Sequence, residues 1–218
     1  MKQTPKIHWL LFATLTIGVA TATAQSIELK AKPGSKVQID GTSTVHDWTV
    51  EGSLIGGSVK VGPGFPMEAG QTITPGKVEA TVNAFIPITS LKSVKDGKPY
   101  STKMDEIMYE KLGKPTHKAI LYTLAELTLK SAPDAAGGPY LFDAKGQLVV
   151  AGVTNAIQLP VEVTPLPGGL VKFATKTSLK MTDYKIEPPA PTIALGLIKT
   201  GDEVQLKVEW MTAKVETK

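Results

Sequence analysis

The 218-residue chain contains no cysteine and no arginine, and its only histidines are His8, His46 and His117. The missing cysteine excludes a disulfide framework, a thiolate metal site, a cysteine nucleophile and a lipid-modified cysteine. The missing arginine leaves no planar fork for phosphates or guanine edges, so nucleic acid is not an expected partner. Histidine is too scarce for a ligand pair at helical spacing, and neither a G-x-S-x-G elbow nor a G-x-G-x-x-G phosphate loop occurs. No catalytic residue and no metal ligand is therefore assigned. What remains is 42% apolar and 20% charged, the balance of an ordinary globular chain long enough to bury a core.

Long apolar runs are also scarce, and the one near the start is short. Lys2 and Lys6 precede Trp9-Leu10-Leu11-Phe12-Ala13, which continues through Leu15, Ile17 and Val19 to the A-x-A sequence Ala22-Thr23-Ala24. That pattern is a cleavable export signal, too short to span a bilayer as a helix. Residues 1–24 are expected to be removed and residues 25–218 to form the functional domain, periplasmic or secreted, starting at Gln25. Losing Lys2 and Lys6 also trims the formal charge of +4 to about +2, which implies no charge-driven partner.

Beyond Ile27 the apolar residues recur mostly at every second position, the signature of strands with one buried face. Val78, Ala80, Val82, Ala84, Ile86 and Ile88 share one face of a long strand. Val171, Phe173, Thr175, Thr177, Leu179 and Met181 make another, as do Val204, Leu206, Val208 and Trp210. Ile157, Leu159, Val161 and Val163 form a further set, in which Pro160 cannot donate a ladder bond and marks an edge or bulge. His117 to Lys130 is apolar on both faces and reads as a strand covered on both sides. Gly- and Pro-containing turns separate about eight such runs, among them Gly152-Val153-Thr154-Asn155 as a tight hairpin. One segment differs: Met104, Ile107, Met108 and Leu112 fall at helical spacing, and Thr102 with Asp105 forms a capping-box pattern. A short helix over Lys103 to Leu112 is predicted.

The run Gly41-Thr42-Ser43-Thr44-Val45-His46-Asp47-Trp48 resembles the opening motif of the YceI-like proteins. Three further features follow in the same order: the Leu91–Leu112 loop and helix, Gly146 to Thr154, and Met181 to Pro189 before Ile198 to Val204. The resemblance implies an all-β fold, an antiparallel eight-stranded lipocalin-like barrel with one short inserted helix. It also implies a bound isoprenoid lipid, such as a polyprenyl quinone or polyprenyl phosphate, as ligand. No other cofactor is required, and the protein would be a binder rather than an enzyme. Positions where many relatives carry arginine hold Lys180 and Thr182, so an anionic head would meet point charges rather than a fork.

On this reading the lipid-lining candidates are Trp48, Val50, Val82, Ile86, Leu121, Val161, Phe173 and Val208, with Ile107 and Met108 as a cap. His46 and the loop lysines Lys92, Lys95, Lys98 and Lys103 are candidates for the head group. Transient membrane contact and a homodimer are both open at this stage. Two rival readings stand beside it: a metal or enzymatic site at the mouth around His46 and Asp47, and a structural interaction domain whose core is filled by its own side chains. In a regular strand His46 and Asp47 point to opposite faces, which disfavours Asp47 as an orienting group for that imidazole.

Overall fold

The computed structural model describes residues 26–135, 137–190 and 198–215; the expected export signal lies outside them. The strands are β1 (Ile27–Ala31), β2 (Lys36–Ser43), β3 (Trp48–Gly52), β4 (Gly56–Val61), β5 (Gly76–Val78), β6 (Ala80–Pro87), β7 (Lys92–Lys95) and β8 (Lys98–Pro99). After helix α1 (Thr102–Lys111) come β9 (Ala119–Ser131), β10 (Tyr140–Val150), β11 (Val153–Leu166), β12 (Leu170–Lys180) and β13 (Thr200–Lys214). Eight of these strands form a closed antiparallel circuit in the order β1-β4-β6-β9-β10-β11-β12-β13 and back to β1. Closure gives every strand of that wall a paired neighbour on each side over at least part of its length.

β13 is long enough to serve two partners. Its C-terminal part pairs with β1 and its middle with β2, which makes β1 and β2 two halves of one wall strand. The break between them is satisfied locally, because the Ser35 hydroxyl accepts the Met211 N–H at 3.1 Å and the Lys32 N–H donates to the Met211 carbonyl. β2 extends the wall past the circuit to β3, β7 and β8, the platform that carries α1.

The single strand expected over Val78 to Ile88 is divided at Glu79: Val78 pairs with β9 and Ala80 with β4. The β10–β11 hairpin turns at Ala151 and Gly152, both at positive φ, rather than at Gly152 to Asn155. The expectation of two covered faces for the His117 segment is incorrect. Among the described residues no second layer covers the outside of β9, and Leu121, Thr123 and Ala125 are exposed. A bulge opposite Lys145/Gly146 also shifts its inward parity, from Ile120, Tyr122 and Leu124 to Leu127 and Leu129.

The helix begins one residue earlier than predicted, capped by the Ser101 hydroxyl, which accepts the Met104 N–H. Asp105 is not the reciprocal partner of a capping box. It is buried and takes the Ser93 N–H at 2.7 Å, with the Lys92 ammonium 3.4 Å away, so it fastens the helix to β7. Tyr109 adds a second tie, its hydroxyl donating to the Leu91 carbonyl at 2.8 Å.

Candidate functional site: an apolar cavity in the barrel

The two ends of the barrel are packed differently. At the end away from α1, Leu29, Val59, Val61, Leu129, Tyr140, Val163 and Val171 are fully buried. Phe65, from the loop after β4, stacks on Phe142 with centroids 5.9 Å apart and meets Phe173 at 6.0 Å, and Phe173 meets Trp210 at 5.8 Å. The Tyr140 hydroxyl donates to the Gln71 carbonyl at 2.6 Å and locks that loop in place. These rings form a solid floor.

Above the floor the inward side chains are small or short, and they leave a cavity of about 630 Å³. Ile39, Val82, Ala84, Ile86, Ile157, Leu159, Val161, Leu206 and Val208 line it, and they are only half-buried because they face the hollow. That volume is within the ordinary range for a ligand-binding pocket. Met104, Ile107, Met108 and Leu112 of the helix segment roof part of it.

Trp48, Val50, Val82, Ile86, Val161, Phe173 and Val208 stand on the cavity wall, and Ile107 and Met108 on its roof. Trp48 is held by its indole N–H, which donates to the Thr42 carbonyl, and its ring lies over Gly41, where any Cβ would collide with it. Leu121 borders the cavity through its strand but belongs to the outward parity of β9, 46% exposed beside its cross-strand neighbour Phe85, itself 41% exposed. The neighbouring Ile120 and Tyr122 hold the inward positions instead.

His46 and Lys103 lie at the mouth, whereas Lys92, Lys95 and Lys98 do not border the main cavity. Lys92 is committed to Asp105 and to the Tyr109 ring, 5.1 Å from its centroid. Lys95 sits over the Tyr100 ring at 5.5 Å, in a cleft of about 90 Å³ that it shares with His46, and Lys98 is exposed in the β7–β8 hairpin. The head-group expectation is thus corrected for these lysines, because strand pairing turns their loop away from the opening. Lys111 and Lys180, absent from the sequence-based set, take the vacant places at the rim. Lys180 is the position at which the family resemblance placed a point charge in place of arginine, whereas Lys111, at a helix end, gives no sequence signal.

The wall contains few polar groups. The Tyr122 hydroxyl and the Trp210 indole N–H are both buried without a hydrogen-bond partner, and burial pushes the Tyr122 phenol up to about 12. An unpaired buried donor costs about 1–3 kcal/mol. At the mouth, the 3-10 turn Met181–Tyr184 is pinned by Asp202, which accepts the Thr182 hydroxyl at 2.7 Å and the Thr182 N–H at 2.9 Å. Those two bonds hold the Asp202 carboxyl below its ordinary pKa.

The arrangement has no catalytic geometry at His46. Its ring Nδ1–H donates to the Asp47 backbone carbonyl at 2.8 Å, not to that residue's carboxylate, and its edge meets Tyr100. Among the described residues no group of three or more His, Asp or Glu could hold a metal ion, and no helix is long and apolar enough to cross a membrane. The metal-site alternative finds no support in this geometry, and the filled-core alternative conflicts with the cavity.

A closed antiparallel barrel with a dry floor, a hollow upper half and a lysine-bearing mouth defines a lipocalin-like barrel. The YceI-like domain model matches residues 34–211, and the chain belongs to that family. Its fold is similar to that of BcnA from Burkholderia cenocepacia, with a TM-score of 0.56 at 14% identity over 81% of this chain and 95% of that one. It is also similar to a polyisoprenoid-binding domain from Saccharophagus degradans, with a TM-score of 0.60 at 14% identity over 86% and 98% of the two chains. No curated protein matches the sequence.

Proposed function

We propose that this chain is an exported binding protein that holds one isoprenoid lipid, or a similar amphiphile, and does no chemistry on it. The observation that carries the reading is the apolar cavity of about 630 Å³ inside a YceI-like barrel. The similarity to a polyisoprenoid-binding domain supports the choice of ligand class. The tail lies in the hollow above the Phe65, Phe142, Phe173 and Trp210 floor. The head rests at the mouth near His46, Lys103, Lys111 and Lys180. The export signal at residues 1–24 supports a periplasmic or secreted location.

Burying a chain of roughly 40 carbons at about 0.8 kcal/mol per methylene gives on the order of 30 kcal/mol against water. That exceeds the ceiling of about 20 kcal/mol seen for non-covalent affinity. Such a lipid is never free in water, so the comparison that matters is barrel against bilayer. A barrel that merely matches the bilayer can carry or sequester its lipid, through transient membrane contact.

The deciding experiment expresses the chain from Gln25, extracts it with organic solvent and identifies the extract by mass spectrometry, with metal analysis on the same sample. A long-chain isoprenoid at near-stoichiometric amount supports the reading. Bound zinc or copper without lipid would replace it with the metal-site alternative.

A further inference from the structure

In a closed barrel each wall strand is bonded to both neighbours along most of its length, and β11 and β12 depart from that arrangement. Their ladder runs from Leu166–Leu170 to Val161–Thr175 and stops there. Yet β11 reaches back to Val153 and β12 continues to Lys180. Over those stretches β11 stays paired with β10 and β12 with β13, so each keeps one partner and faces the other across a seam.

Pro160 explains where the ladder ends. Its carbonyl points toward β12, where the Thr175 hydroxyl donates to it at 2.6 Å. In an antiparallel strand the N–H and C=O of one residue point to the same side, so the Pro160 nitrogen also faces β12 and has no hydrogen to give. The bond that residue 160 would donate to β12 cannot form, and the Pro160 carbonyl is met by a side-chain hydroxyl instead of a backbone N–H.

The inner face of the seam belongs to the cavity, since Ile157, Leu159 and Leu179 all line it. Beyond Thr175 the closure depends on the turn Met181–Tyr184. There the Asn155 side-chain amide donates to the Asp183 carbonyl at 2.8 Å, and Tyr184 and Ile186 pack with Ile157 and Leu179.

We propose that this seam is a lateral port through which an apolar chain enters and leaves the cavity, with Asn155 and the 181–184 turn as its latch. The inference rests on the lipid-binding reading above. One end is closed by the aromatic floor, and the mouth is narrowed by α1, which Asp105 and Tyr109 tie to β7 and its preceding turn. Parting any fully paired ladder breaks a row of backbone bonds and strands their donors. Parting the seam breaks a side-chain bond and apolar contacts, which the incoming chain itself replaces.

The absence of cysteine gives a clean test. Gln158→Cys with Ser178→Cys places two exposed thiols on facing strands across the seam, bridged by oxidation or by a short bis-maleimide. Gln147→Cys with Ala156→Cys places the same bridge across the intact β10–β11 ladder, where those residues are register partners. Transfer of dansyl-tagged geranylgeraniol from loaded protein to phosphatidylcholine vesicles is then timed by fluorescence. The seam bridge is expected to slow transfer by about tenfold or more, the control bridge to leave it unchanged, and Asn155→Ala to accelerate it. Equal transfer rates for both bridged proteins, with Asn155→Ala also unchanged, would overturn the port while leaving lipid binding intact. Failure of the unbridged protein to take up the probe would instead overturn the lipid-binding reading, and the port with it.

Discussion

Tyr122 on β9 reaches its hydroxyl across Gly146 on β10: a Cβ at Gly146 would stand 2.7 Å from that oxygen and would also collide with the Thr123 carbonyl. The missing side chain thus gives the phenol its resting place against the inner face of the wall. The arrangement is tolerated at a cost, since the hydroxyl has no partner there.

Tyr122→Phe should therefore stabilise the unliganded protein by about 1 kcal/mol, because it removes the stranded donor and keeps the ring. Gly146→Ala should do the reverse, by about 1–3 kcal/mol, since the Thr123 carbonyl cannot move aside as a side chain can. Urea denaturation of the two variants checks both signs. Destabilisation by Tyr122→Phe would mean that the hydroxyl has a partner after all.

Filling the hollow and emptying the floor should have opposite signatures. Val208→Phe adds volume where the wall already faces open space, so it should leave the melting temperature nearly unchanged while weakening capture of geranylgeraniol by about tenfold or more. Phe142→Ala removes a ring from the fully buried stack and should cost about 3–5 kcal/mol. Thermal melts and a fluorescent-lipid displacement assay on the same samples separate the two. A large fall in stability for Val208→Phe would mean the upper barrel is packed solid.

The lysines divide into two groups. Exchanging Lys103, Lys111 and Lys180 together for Gln should weaken binding of geranylgeranyl phosphate by roughly tenfold at low salt, with little effect on neutral geranylgeraniol. The same exchange at Lys92, Lys95 and Lys98 should spare both ligands, because those side chains stand clear of the main opening. Equilibrium titrations of the two triple variants at two ionic strengths check this. Equal losses for both would remove the distinction between rim and hairpin.

Much of the wall was legible because the strands alternate cleanly. Val82, Ile86, Val161 and Val208 face inward as period-two spacing requires, and Leu159 and Leu206 were available from the same runs. β9 was not, since a bulge changes which residues face inward and the outer residue Leu121 is as apolar as its inner neighbours. Asp105 shows the limit of local motifs: three positions from Thr102 it fits a capping box, yet its partner is the Ser93 N–H, which only the tertiary fold brings near. Lys111 and Lys180 illustrate the same limit at the mouth. Lys111 is an unremarkable surface lysine in sequence, and although the family resemblance marked Lys180, only the placement of α1 and of the end of β12 brings the two to the rim together. Pro160 was the exception, a local rule that located a feature of the whole barrel.

Acid should loosen the mouth through Asp202. This carboxylate accepts two bonds from Thr182, and its pKa is lowered by them. A group whose pKa is depressed on folding contributes stability that is complete above its unfolded value, about 3.9 for aspartate, and is lost as the pH falls through the folded value. The 181–184 turn should therefore stay pinned at neutral pH and release only in strong acid. The Thr182 amide resonance should titrate with a midpoint below the ordinary aspartate value, and lipid transfer should accelerate across the same range. Asp202→Asn keeps one acceptor and loses the charge, so at neutral pH it should accelerate transfer and abolish the titration at Thr182. A midpoint at or above the ordinary aspartate value would mean that the bonds to Thr182 do not favour the charged carboxylate, and acid would then leave the turn closed.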